Sequence, residues 1–351
     1  MTGIVIATPR KTSMKNLLLV LLTTLTVTVF ASNRDSAQYY FDKGMQEKKD
    51  KIFLTASRSF EKAVSFDPQF ADAILQNAFV LLEMRKMDPA LREFTRAHQL
   101  QPENKQVITE LMNLHFNFRQ FTKAMEYANK CLDCAGAAKV LAMSFFREEN
   151  YVKAEKALLK ALELEPENAE LTYTLARSYL EMDQFQKAVP FYDKAIALDK
   201  TKYAWMYELG LLHFNVSNFP AAVAAFKNAL NSGYKADNDF NENFGYALLQ
   251  SGDFDNGEKV ILSVWEKKPS TKDLLRDLAE VLYFKKQYDR SLVYCQKLLN
   301  MDATDAHAMY QAGLNFLKKG DKTKGQQICD RAIQMNPSLA SLRTEKKMPG
   351  F

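Results

Sequence analysis

The sequence predicts an all-α fold, an α-α superhelix (solenoid) of about nine stacked helical hairpins, on three observations. Prolines mark a clock: Pro68 and Pro102 stand 34 residues apart, and Pro269 and Pro337 stand 68 apart, twice that interval. Between them the apolar residues keep a helical period, as where Leu171, Leu175, Ala176 and Tyr179 fall on one face at spacings of four, one and three. Leu, Ala, Lys and Glu are abundant, and no Gly/Pro/Ser-rich linker interrupts the chain. A chain of 351 residues is also too long for one compact core, so repeats or several domains are expected.

Taken in order, residues 1–31 read as a secretory signal. Arg10, Lys11 and Lys15 precede an apolar run from Leu17 to Phe30, and Val29-Phe30-Ala31 suits signal peptidase. The run is shorter than the roughly 20 residues of a bilayer-spanning helix. Cleavage near Ser32 is therefore expected, and export to a periplasm, with secretion or an inner-membrane anchor at residues 17–30 as the alternatives. Met14 followed by Lys15 would make a complete signal alone. Without the three basic residues of the signal, 44 basic and 42 acidic residues remain of the 47 and 42 present. That balance argues against a nucleic-acid partner, which demands a basic face.

Residues 37–338 then divide into nine segments, starting near residues 37, 71, 105, 135, 169, 203, 238, 272 and 306. The segment from Ala169 carries Leu175-Ala176, Tyr179, Ala188, Tyr192 and Ala195, with Lys200 where Pro is usual. The segment from Ala71 has Ala78, Leu81, Ala90, Phe94, Ala97 and Pro102, and that from Tyr203 has Leu209-Gly210, Ala222, Phe226 and Ala229. The segment from Ala37 has Gly44, Ala56, Phe60, Ala63 and Pro68, and the last has Met309, Gly313, Phe316, Ala332 and Pro337. This arrangement resembles the tetratricopeptide repeat family: small residues at positions 8, 20 and 27, large ones at 4, 7, 11 and 24, and proline at 32. Small residues let two helices approach and large ones fill the opposing gaps. One hairpin cannot bury its apolar face alone, so neighbours must cover it. Pro220, behind Asn218, suits the first turn of a second helix.

Two irregularities interrupt the clock. The repeat from Lys105 reaches the next after 30 residues, through Cys131-Leu132-Asp133-Cys134-Ala135-Gly136, so its turn is tight or its second helix short. The repeat from Asn238 has Gly257 where Ala is usual, which would alter the local superhelical pitch. Residues 339–351 read as a C-terminal capping segment, helical from Leu339 to Lys347, with a frayed tail.

Little in the chain suggests catalysis, and the reading is non-enzymatic, with no cofactor and no metal. His98, His115, His213 and His307 lie in different repeats, without the spacing that puts two ligands on one helix face. His115 and His213 fall at position 11, where Tyr is usual, and read as core. No phosphate loop, nucleophile elbow or His-Glu-x-x-His motif occurs. Cys295 and Cys329, both at position 24, read as small buried apolar residues. Cys131 and Cys134 have the CxxC spacing, but no strand precedes them as in a thioredoxin-type site. A disulfide pinning the shortened turn is one reading, since an exported chain meets oxidising conditions, and whether Cys131 and Cys134 are oxidised stays open in the sequence.

In the family that these repeats resemble, positions 2, 5, 9 and 12 of each first helix face a concave groove. Carried over, the partner-binding candidates are Phe41, Phe79, Phe116, Phe146, Tyr173, Arg177, Tyr207, Phe214, Tyr246, Tyr283 and Tyr310. Arg177 would orient an acidic or carbonyl group on the partner, and Glu242 a basic one. The chaperone-tail clamp known in some members is not recognisable, since Phe41 and Met45 occupy its places in the first repeat. The resemblance implies a scaffold that holds other proteins or peptides; a glycan or peptidoglycan binder using the same aromatics is the alternative.

Overall fold

The computed structural model of the chain describes residues 33–343. The signal segment 1–31 and the tail after residue 343 lie outside the described residues. By its internal packing the chain divides into two units, with the boundary in the chain between Pro166 and Glu167. In the first, α1 spans 33–49. It is followed by α2 (Phe53–Phe66), α3 (Ala71–Glu83), α4 (Met87–Leu100), α5 (Lys105–Asn117), α6 (Phe121–Lys130), α7 (Ala137–Arg147) and α8 (Tyr151–Leu164). The second holds α9 (Ala169–Glu181), α10 (Phe185–Leu198), α11 (Tyr203–Asn215), α12 (Phe219–Asn231) and α13 (Asn238–Ser251). It continues with α14 (Phe254–Trp265), α15 (Asp273–Phe284), α16 (Tyr288–Met301), α17 (Ala306–Lys319) and α18 (Lys322–Met335), and closes on a 3₁₀ helix, Pro337–Arg343. No strand occurs among the described residues. Odd-numbered helices are the first of each hairpin and even-numbered helices the second.

The helices begin within a few residues of the segment starts read from the sequence. The first is already helical at residue 33, the fourth begins at Ala137 rather than near 135, and the eighth at Asp273 rather than 272. The last segment differs more. Its described part is a 3₁₀ turn from Pro337, not an α-helix from Leu339. Leu339 is buried against Tyr310, Cys329 and Ala332, so the turn covers the apolar end of the last hairpin.

Each turn within a hairpin is built the same way. Lys51, Arg85, Arg119, Glu149, Asp183, Ser217 and Lys286 have φ between 56° and 61°, and Gly252 and Gly320 take the same place at 95°. Each stands one residue before the second helix's N-cap. The left-handed residue lets two amides turn back on the helix: Arg85 N–H donates to the Leu82 carbonyl and Lys86 N–H to that of Leu81, both at 2.8 Å. A residue with a Cβ in this conformation costs about 1–2 kcal/mol. Lys286→Gly, at an exposed position, is therefore expected to raise stability by up to about 1 kcal/mol, the gain being reduced by glycine's extra unfolded-state freedom. Gly252→Val should do the reverse. Thermal unfolding of the two variants checks the pair, and equal melting points would contradict the assignment.

Packing follows the small-and-large pattern. Ala188, Tyr192 and Ala195 of α10 are fully buried, as are Ala90, Phe94 and Ala97 of α4. One core joins α3 and α4 to Val107, Leu111 and Leu114 of α5, so the next hairpin's first helix closes the preceding pair. Gly257 is one half of a close approach: a Cβ there would lie 3.0 Å from the Gly245 carbonyl oxygen.

Candidate partner-binding face

The first helices of the second unit carry polar and aromatic side chains that core packing alone does not require. Helical spacing puts Tyr173 and Arg177 of α9 on one face, a turn apart. The Tyr173 ring stacks on Trp205 of α11, with centroids 4.3 Å apart and planes 10° from parallel. Its hydroxyl donates to the Glu208 carboxylate at 2.9 Å, and Tyr192 of α10 donates to the same carboxylate at 2.8 Å. Arg177 donates to the Tyr173 hydroxyl at 3.3 Å and to Glu181 at 2.7 Å, and lies 3.8 Å from Glu208. Burial and the Glu208 charge push the Tyr173 phenol up to about 12. Burial opposes the Arg177 charge, but its bonds to Glu181 and Tyr173 prevail and hold the guanidinium above its ordinary range.

Two helices further on, the face is acidic. Tyr246 of α13 sits beside Asp277 of α15, and burial raises the hydroxyl's pKa well above the usual tyrosine range. Burial also raises the carboxyls of Glu242, Asp277 and Glu280, with mutual charge adding to it. Asp305, by contrast, accepts from Arg276 at 2.8 Å and lies 3.7 Å from the Lys272 ammonium.

The repeated framework of these hairpins decides the family. Profiles of the tetratricopeptide repeat match residues 145–206, 207–270 and 306–339, and the described helices pair in consecutive hairpins throughout. The chain is a tetratricopeptide repeat protein. It is 26% identical over 173 residues to BBSome complex member BBS4 of Bos taurus, a match covering 48% of this chain and 33% of that one. It is 22% identical over 325 residues to tetratricopeptide repeat protein 21 homolog of Caenorhabditis briggsae, covering 84% of this chain and 24% of that one. The chain thus spans about a third and a quarter of these two relatives. The crystal structure of YrrB, described as a TPR protein with an unusual peptide-binding site, covers 55% of this chain and is itself wholly covered, at 22% identity and a TM-score of 0.40.

Within the tetratricopeptide repeats, the candidate aromatics separate into groups. Tyr173, Arg177 and Tyr246 line first helices as described. Four at position 12 clasp their own hairpin turn instead, each against the first residue of the following helix. The pairs are Phe116 with Phe121, Phe146 with Tyr151, Phe214 with Phe219 and Tyr283 with Tyr288, with centroids 5.6, 5.8, 5.4 and 5.8 Å apart. Phe41 packs on Phe60 and Phe70, and Phe79 packs edge-on against Phe94 with the Lys48 ammonium 5.3 Å from its centroid. Tyr207 is wedged among Phe226, Tyr234 and Phe240, and its hydroxyl accepts from Asn243 at 3.1 Å. Tyr310 corrects the expectation most: only 4% is exposed, because Leu339 and Cys329 pack in the same core.

Trp205 and Glu208, at positions 3 and 6, complete the α9–α11 set and are absent from the residues carried over by family position. Also unforeseen are two concavities beside the second helices. One, about 510 Å³, opens among α10, α11 and α12 and is lined by Ile196, Met206, His213, Ala221 and Ala225. The other, about 700 Å³, lies among α16, α17 and α18. His115 is buried, stacks on Tyr127 and bonds Gln120 at 2.7 Å. Cys295 and Cys329 are buried thiols outside the disulfide, and burial pushes Cys295 up to about 12. Among the described residues no group of three His, Cys, Asp or Glu is placed to hold a metal ion, and no helix is long and apolar enough to cross a membrane.

Proposed function

We propose that this chain is a non-enzymatic scaffold of the cell envelope, exported by residues 1–31, which holds a protein or peptide against the first helices of its second unit. Tetratricopeptide repeats are generally protein-binding scaffolds. The observation that carries the finer reading is the Tyr173–Trp205–Arg177–Glu208 set: large aromatic surface and a guanidinium, half-buried on adjacent first helices. Aromatics and arginine supply contact area at low entropic cost and dominate binding hot spots. The acidic stretch at Glu242, Asp277 and Glu280 suits a basic group on the same partner.

One experiment tests the proposal: the full chain, tagged at its C-terminus, is recovered from the native envelope fraction, its N-terminus sequenced and its co-purifying proteins identified. An N-terminus near Ser32 is expected, and an intact Leu17–Phe30 segment in the membrane pellet would overturn the cleaved-signal part. Trp205→Ala should weaken partner binding by about 2 kcal/mol or more if it is a hot spot. Lys187→Ala, on the exposed face of α10, should leave binding unchanged. Thermal unfolding of each variant separates lost contact from lost packing. Retention by purified cell wall with no protein partner present would favour the glycan reading instead.

A further inference from the structure

We infer that the joint between α6 and α7 is a redox-sensitive lock, held shut by the Cys131–Cys134 disulfide. The left-handed turn residues repeat at intervals of 34 or 35 along the chain, except from Arg119 to Glu149, where the step is 30. The shortening comes from both helices at this joint. α6 has 10 residues and α7 has 11, against 14 in α8 and 13 in α5, while the link between them, residues 131–136, is longer than the link 67–70 between α2 and α3. Elsewhere a full last turn carries a second helix into the link, as where Asp67 N–H donates to the Ala63 carbonyl at 3.0 Å.

Here α6 ends a turn early, with Cys131 N–H donating to the Ala128 carbonyl at 3.3 Å, and other contacts hold the link. Cys131 and Cys134 are bonded, with Cα atoms 5.2 Å apart. Both are buried with Ile108, Met112, Ala124 and Val140 in the core that joins α5, α6 and α7. Asp133, between them, pairs with the Lys105 ammonium of α5. Gly136 then takes φ 80° to start α7. The disulfide therefore belongs to the core that fastens one hairpin to the next. It closes a ring over only two intervening residues, Leu132 and Asp133. Loop-closure entropy grows with ring size, so this short ring stands at the low end of what disulfides contribute, and its loss is felt chiefly in the local opening of the helices that it joins.

Reduction by a small dithiol transfers two electrons and two protons to the Cys131–Cys134 bond. The sulfur–sulfur bond breaks, two thiols form, and the dithiol leaves as its own cyclic disulfide. The two freed thiols no longer fix the turn, and α6 and α7 exchange more freely.

Hydrogen exchange on the full chain, with and without dithiothreitol under native conditions, tests this. Iodoacetamide mass-tagging counts the opened thiols, since Cys295 and Cys329 are buried. Two alkylations at Cys131 and Cys134 are expected, with exchange in residues 121–147 accelerated at least tenfold and residues 273–301 unchanged. The Cys131→Ser/Cys134→Ser double variant should exchange at the fast rate in either condition. A bond that resists dithiothreitol in the folded chain, or unaltered exchange after complete reduction, overturns the inference, and neither result depends on the variant folding.

Discussion

Replacing Gly313 by leucine is expected to destabilise the last hairpin by an amount at the upper end of the roughly 1–3 kcal/mol typical of overpacking. A Cβ at this position would lie 2.5 Å from the Cys329 sulfur, 2.9 Å from the Cys329 backbone nitrogen and 3.0 Å from the Gly325 carbonyl oxygen. Two of those three atoms are backbone, so no rotamer change relieves them, and α17 and α18 must move apart. Even Gly313→Ala should be destabilising. Alanine gains about 1 kcal/mol of helix propensity over glycine, but backbone contacts at 2.9 and 3.0 Å outweigh it. Hydrogen exchange in α17 and α18 is the better readout than a single melting point, because coupling in a repeat protein runs between nearest neighbours. Unchanged protection in both helices would contradict the packing described here.

Glu208→Ala should be the most damaging single change on the candidate face. The carboxylate accepts from two phenols, and the Tyr192 side chain has no exposed surface. Leaving that hydroxyl unpaired in the core costs about 1–3 kcal/mol, and Arg177 loses a neighbouring charge as well. A loss of about 2–3 kcal/mol is expected. The same network gives a pH dependence. The Tyr173 phenol titrates at about 12 in the folded chain, against an ordinary value near 10. Its contribution is fully present below about pH 10 and is lost as pH rises toward 12, because the unfolded phenol releases its proton first. Alkaline unfolding of wild type and Tyr173→Phe checks this: the variant should lose less stability between those limits. Identical alkaline profiles would mean that Tyr173 is not held by Glu208.

Most of the fold was legible because the repeat rests on residue size. Ala188, Tyr192 and Ala195 announce a close helix contact, and their burial is what that contact needs. The turns were not legible. Seven of the nine left-handed positions hold ordinary residues such as Lys286 and Glu149, so no glycine marks them, and only Gly252 and Gly320 speak. The candidate face was half legible. Tyr173, Arg177 and Tyr246 follow from position in the repeat. Trp205 and Glu208 do not, since their roles come from a neighbour one helix away. The aromatics at position 12 were read as groove, yet a signal stood in the sequence: Phe116/Phe121, Phe146/Tyr151, Phe214/Phe219 and Tyr283/Tyr288 each recur five residues apart. An aromatic before and after a tight turn is positioned to clasp it. The fate of Tyr310 depends on Leu339, beyond the last repeat, and no position within the repeat encodes that cover.

The proposed partner lies against first helices, while the two concavities described above open beside second helices. Hydrogen exchange of the chain with its purified partner, compared with the free chain, decides between these faces. Slower exchange is expected in α9, α11, α13 and α15, centred on Tyr173, Trp205 and Tyr246. Protection in α10, α12, α16, α17 and α18, with α9, α13 and α15 unchanged, would contradict the central claim and move the binding site to the concavities at Ala221 and Ile328.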